Sequence, residues 1–189
     1  MDPSHTRSPG DVEPPHGAPW DVPLSGAPLA FVDLEMTGLR VGEDRVVEIC
    51  VERVRGEVLE ARLDTLVDPQ GVHGAEKVHG LSAALLASAP TFASIAGEVA
   101  RVLDGAAIVA HGAAWDLAFL GDELRRVGLQ ARAPTHAIDT LVLCRRALHL
   151  HGYGLQNVAS ALKIPVECAH RAGADVRTMR AIWPTLIEA

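Results

Sequence analysis

The 189-residue chain predicts an α/β domain built on a mixed five-stranded sheet with helices on both faces. Three observations carry this. LAFVDL at 29–34 is a nearly continuous apolar run, as expected of a central strand covered on both sides. RVVEICVERV (45–54) and EVLEARLDTLV (57–67) follow, joined through the turn Arg55-Gly56, and complete an antiparallel meander. Farther along, helical stripes alternate with short apolar runs.

The elements can be justified in order. In the third strand Leu59, Ala61, Leu63, Thr65 and Val67 share one face, the period of two of a half-covered strand. Residues 92–103 have helical periodicity, and Ala106–Ala110 is a short buried strand. Residues 114–127 form a helix with Leu117, Leu120, Leu124 and Val127 on one side. A fifth strand near 135–138 leads into a helix through Leu148. Leu155, Val158, Ala159 and Leu162 keep i, i+3, i+4, i+7 spacing, and the last helix, from about 172, turns Val176, Met179, Trp183 and Leu186 inward.

Composition narrows the function classes. A 48% hydrophobic chain of this length supports one sizeable core, placed at residues 27–189. Residues 1–26, rich in Pro, Gly, Asp and Ser, read as a flexible tail, with Trp20 as its one docking feature. No apolar run reaches the roughly 20 residues of a membrane span, and the N-terminus lacks a signal-peptide pattern. Cys50, Cys144 and Cys168 are odd in number and lack metal-ligand spacing, as in a reduced, cytoplasmic protein. A net charge of −7 argues against a broad basic surface for long nucleic acid, but not against action at a strand end. The tail accounts for −3 of this, leaving −4 on the domain.

That residual charge equals the charge of four carboxylates in three distant segments. Asp33 and Glu35, in FVDLEMTG, are two apart on the first strand, so both leave one face about 6.6 Å apart. Asp116, in HGAAWD, opens a helix just after a sheet strand, where open α/β sheets place their ligands. In HRAGAD, Asp175 precedes an inward stripe, and His170 sits at the helix start. Carboxylates built into core-facing positions are costly unless cations fill the cluster, and two divalent ions would cancel the −4. An imidazole beside them suits general-base work.

FVDLEMTG, HGAAWD and HRAGAD, in this order, resemble the three exonuclease motifs of the DnaQ-like 3′–5′ exonucleases, in the histidine-containing DEDD subclass. The resemblance runs from about Leu29 to Ile187, with DRVVEI, KVHGLS, AIDTLVLCR and YGLQNVASAL as supporting segments, and the epsilon subunit of bacterial DNA polymerase III is similar. It implies an RNase H-like fold. It also implies that Asp33, Glu35, Asp116 and Asp175 bind two Mg²⁺ or Mn²⁺ ions, and that His170 deprotonates the attacking water. Met36, Thr37, His79, His111 and Trp115 match substrate-side positions, with Thr37 expected to reach a 3′-hydroxyl; for His79 and His111 a packing or capping role is the alternative. Gly112 and Trp115 depart from the usual Asn and Phe of the second motif, while DLEMTGL is like oligoribonucleases. The expected partner is therefore a single-stranded or frayed 3′ end, DNA first and short RNA as the alternative, with a noncatalytic binding module as a third reading. The chain stops soon after its last helix, so the polymerase-binding extension of epsilon is not expected.

Overall fold

The computed structural model describes residues 15–188. Its sheet has the order β3-β2-β1-β4-β5. β1 (Pro28–Met36), β2 (Val46–Arg55) and β3 (Val58–Leu66) form the antiparallel meander, and β2 occupies its middle. Two single-turn helices, α1 (Glu76–His79) and α2 (Ala83–Leu86), precede α3 (Phe92–Leu103). Such short turns carry too few residues for periodicity to reveal them. β4 (Ala107–Ala110) then pairs in parallel with β1, and β5 (Ala137–Asp139) in parallel with β4. Between these two strands runs α4 (Ala114–Arg126), and after β5 come α5 (Thr140–Ala147), α6 (Leu155–Ala161) and α7 (Ala172–Ile187).

Alternation along β1 divides the core. Ala30, Val32 and Leu34 face a cluster with Phe92, Val99 and Phe119 on α3 and α4. Phe31 faces the opposite cluster with Val158, Val176 and Met179, and its ring meets Trp183 edge-on at 5.5 Å. Helices thus cover both faces, as the nearly continuous apolar run of β1 requires.

Part of the expected tail is folded against this core. Residues 1–14 lie outside the described residues, whereas 18–21 and 24–26 form turns. Trp20 packs on the second cluster and meets His136 edge-on at 6.2 Å. Arg55 Nη1 donates to the Gly26 carbonyl at 2.7 Å. One large indole and four backbone hydrogen bonds that close the two turns supply what mean composition could not register.

The parallel strands β1, β4 and β5 end on one edge of the sheet. β4 stops at Ala110 soon after the Phe31–Val109 pair, while β1 continues to Met36. Asp33 and Glu35 therefore project past the end of their neighbour, into the crevice where α/β sheets hold ligands.

Candidate active site

All three acidic motifs meet on this edge. Asp33 and Glu35 leave β1 on the α7 side, Asp116 arrives from the first turn of α4, and Asp175 from the first turn of α7. Ligand atoms of Glu35, His170 and Asp175 lie within 4.8 Å of one another. Asp116 and Asp175 are buried, Asp33 and Glu35 half-buried, and His170 exposed at the mouth. Gly173 lets the start of α7 lie close to β3, since a Cβ there would come within 2.6 Å of Asp64 Oδ2.

The electrostatics follow from crowding. Burial pushes Asp33 well above the ordinary carboxylate range, helped by Asp116, Asp175, Glu35 and Glu48. Glu35 rises to about 7 through burial and the charges of Asp175 and Glu48, against the opposing pull of Arg171. Asp116 rises to about 8, chiefly through burial, although the backbone N–H groups of Asp116 and Leu34 pull it down. Asp175 is also raised by burial, in spite of the N–H of His170 and the amide of Gln156. Those two groups donate to Asp175 Oδ2 at 3.1 Å and Oδ1 at 2.9 Å.

Four carboxylates with elevated proton affinity form a strong receptor for positive charge. The donor set consists of hard oxygens with one imidazole at its rim. It fits Mg²⁺ or Mn²⁺ better than soft metals, which seek thiolates.

The residues expected on the substrate side divide into two groups. Met36 and Trp115 adjoin Glu35 and Asp116 in sequence and are half-buried against the α3–α4 core face, leaving part of each side chain at the surface. Thr37, by contrast, is buried; its hydroxyl donates to Asp44 Oδ1 and accepts from the Arg45 N–H, each at 3.0 Å. That hydroxyl braces the β1–β2 loop, so a contact from it to a 3′-hydroxyl would add to or replace one of these bonds.

His79 and His111 are likewise engaged internally. His79 Nδ1 accepts from the Leu81 N–H at 3.0 Å, so Nε2 carries the proton and donates to the Gly74 carbonyl at 3.2 Å. His111 Nε2 donates to the Tyr153 carbonyl at 2.8 Å, and Nδ1 faces the Thr140 hydroxyl at 3.0 Å. Burial lowers the pKa of His111, consistent with a neutral ring. Both imidazoles have the packing and capping geometry, and a hydrogen bond to a nucleotide would require breaking one of these.

Several organising residues lacked a sequence assignment. Asp139 ends β5 and caps α5; its Oδ1 accepts from Gly112 N at 3.0 Å and Leu141 N at 2.9 Å, its Oδ2 from Ala113 N at 3.1 Å. It thereby holds the turn that delivers Asp116. The signal was present, since an acid between an apolar run and a helix start is an N-cap pattern. Gly112, in that turn, has φ +79°, and a Cβ there would meet only Leu141 Cδ2 at 3.9 Å. The position suits Gly or Asn for conformational reasons. Glu48 sits in β2 directly opposite Glu35 and is bound by Arg171. Its traces were its place as an acid amid the apolar residues of β2 and in the supporting segment DRVVEI.

Comparison with known proteins agrees with this architecture. The exonuclease (RNase T) family model matches residues 30–182. The DNA polymerase III subunit epsilon of Treponema pallidum is 31% identical over 160 residues, covering 82% of this chain and 74% of the relative. A 3′-5′ exonuclease, DinG, of Bacillus subtilis is 27% identical over 164 residues, covering 85% of this chain and 18% of the relative. For the PolC-type DNA polymerase III of Caldanaerobacter subterraneus, matched at 26% identity, the covered share is 12% of its length. Escherichia coli exonuclease I, solved with a dT13 oligonucleotide, shares the fold with a TM-score of 0.71 at 18% identity over 86% of this chain and 41% of that one.

Proposed function

The chain belongs to the exonuclease family and is a 3′–5′ exonuclease domain of the DnaQ and epsilon type, and from that premise we propose a two-metal nuclease acting on 3′ ends of single-stranded or frayed DNA. The observation that carries the proposal is the meeting of Glu35, His170 and Asp175 within 4.8 Å beside the half-buried Asp33 and the buried Asp116. Asp33, Glu35, Asp116 and Asp175 would hold two Mg²⁺ or Mn²⁺ ions. When bound, such ions activate water and neutralise the charge developing on a phosphodiester.

The chain's own groups divide the remaining work. His170, exposed at the mouth, accepts the proton of the attacking water. The bond between phosphorus and the penultimate 3′ oxygen breaks, releasing a nucleoside 5′-monophosphate. Gln156 and the His170 N–H hold both oxygens of Asp175, and Asp139 holds the turn that presents Asp116. Met36 and Trp115 supply apolar surface beside the cluster for the terminal nucleotide. DNA as substrate is supported by the name of the epsilon relative and by the oligonucleotide on exonuclease I. The oligoribonuclease-like DLEMTGL motif favours short RNA as the second substrate class.

The test is digestion of end-labelled single-stranded DNA, mismatched duplex and short RNA with and without Mn²⁺. The expected products are mononucleotides released from the 3′ end, with DNA cleaved faster than RNA and no cleavage in chelator. His170→Ala should cut kcat by about 10²- to 10⁴-fold and leave Mn²⁺ binding nearly intact. A His170→Ala protein with full activity would remove the general-base assignment.

A further inference from the structure

Resting on that reading of the site, we infer that Glu48 and Arg171 form a clamp that holds His170 in its working position, so that both act as positioning residues for cleavage. His170 has φ +59°, a left-handed conformation that is uncommon outside glycine. Such strain persists only where the surroundings over-determine it. The exposed side chain has little core packing to fix it, so its placement depends on the backbone around it.

Two carboxylates grip that backbone. On one side Asp175 Oδ2 accepts the N–H of His170. On the other, Glu48 takes hold of the next two residues. Its oxygens accept from Arg171 Nε at 3.2 and 3.1 Å, from Arg171 Nη2 at 2.9 Å, and from the Ala172 N–H at 3.0 Å. Glu48 is only 4% exposed and lies in the middle of the meander, opposite Glu35. The clamp therefore ties the loop carrying His170 to the strand pair carrying Asp33 and Glu35, across 123 residues of sequence. A guanidinium fork gripping a carboxylate through two nitrogens fixes orientation as well as distance, which an ammonium does not. The guanidinium also balances the charge of Glu48, so a fifth acid beside the cluster serves as an anchor.

A double-mutant cycle in the full chain tests the clamp, with a labelled oligo-dT and Mn²⁺ as probes. Glu48→Gln should lower kcat roughly 10- to 100-fold with KM changed less than about 3-fold, the range for loss of a group that orients a working residue. In a His170→Ala background the same change should cost less than about 3-fold, because its effect passes through the imidazole. A readout independent of cleavage is amide hydrogen exchange in the metal-free protein. Exchange at His170 and Ala172 should accelerate in Glu48→Gln, while Ala30 and Val32 of β1 stay protected. Equal losses of kcat in both backgrounds, or unchanged kcat and exchange, would overturn the clamp. Arg171→Lys, which keeps the charge and loses the fork, repeats the cycle if Glu48→Gln does not fold. A wild-type protein without nuclease activity would instead remove the proposed function, and the exchange measurement would still decide the clamp.

Discussion

The two ends of α4 carry buried acids of nearly equal exposure and opposite character. Asp116, in the first turn, is 7% exposed, and Asp122, near the last, 8%. Burial pushes both upward, but Asp116 reaches about 8 whereas Asp122 ends below its ordinary value. The difference lies in their partners. Arg125 and Arg126 both bind Asp122, the latter at 2.7 Å, and the neighbouring Glu123 receives a bidentate fork from Arg45 at 2.7 and 2.9 Å. Asp116 faces Asp139 and Glu35 instead. One helix thus contains acids paired with arginines and an acid that faces other carboxylates. The contrast identifies the site better than acidity alone.

The largest test of that contrast breaks each end separately. Glu123→Gln strands the Arg45 guanidinium and should destabilise the fold by about 3 kcal/mol or more. Asp116→Asn removes an uncompensated buried charge and should raise, or leave unchanged, the melting temperature of the metal-free protein at pH 8.5, while abolishing nuclease activity. Thermal melts of both variants without metal check this. A large loss of stability in Asp116→Asn would erase the distinction.

Next in size is the pH dependence without metal. Asp116 and Glu35 have folded-state values raised to about 8 and about 7, so their contribution to stability is fully present below pH 4 and is lost as pH rises through 7 to 8. Asp122 is lowered, so its contribution is present above pH 4 and lost on acidification. Melting temperature should therefore fall by roughly 5 °C between pH 5.5 and 8.5. Added Mg²⁺ or Mn²⁺ should restore it at pH 8.5 far more than at pH 5.5, where protons compete for the carboxylates. Calorimetry with and without metal measures both.

The smallest effect sharpens the paired end. Arg125 is largely exposed and shares Asp122 with Arg126. Arg125→Ala should shift the melting temperature by no more than about 2 °C, because an exposed partner contributes roughly 0–1 kcal/mol. A larger shift in a thermal melt would mean that Asp122 needs both arginines.

Much of this molecule was legible because its signals are local. The apolar run of β1, the alternation in β3 and the i, i+3, i+4 stripes depend on residues within one element. They were enough for the five strands and the helices on both faces, although a register shift beside Arg53 and Val54 leaves Leu59, placed on the inward face of β3, exposed. Residues whose meaning depends on distant partners were read less well. Nothing nearby in the strand of Thr37 discloses that Asp44 and the Arg45 N–H take its hydroxyl. For His111 the substrate side and packing stood as alternatives, and the fold brings the Tyr153 carbonyl and Thr140 to its two nitrogens. Trp20 sat in a stretch whose average composition opposed folding, yet one indole found the core.

By itself the sequence determined the order of the strands and longer helices, the face of β1 that carries Asp33 and Glu35, and the choice of acids in the three motifs, since periodicity and residue chemistry are written along the chain. Only the tertiary structure decided which buried acids receive an arginine and which face other carboxylates instead. That choice is made by contacts such as Arg45 with Glu123 and Arg171 with Glu48, 78 and 123 residues apart. A carboxylate's charge state follows from the groups that surround it in space, and no local pattern records them.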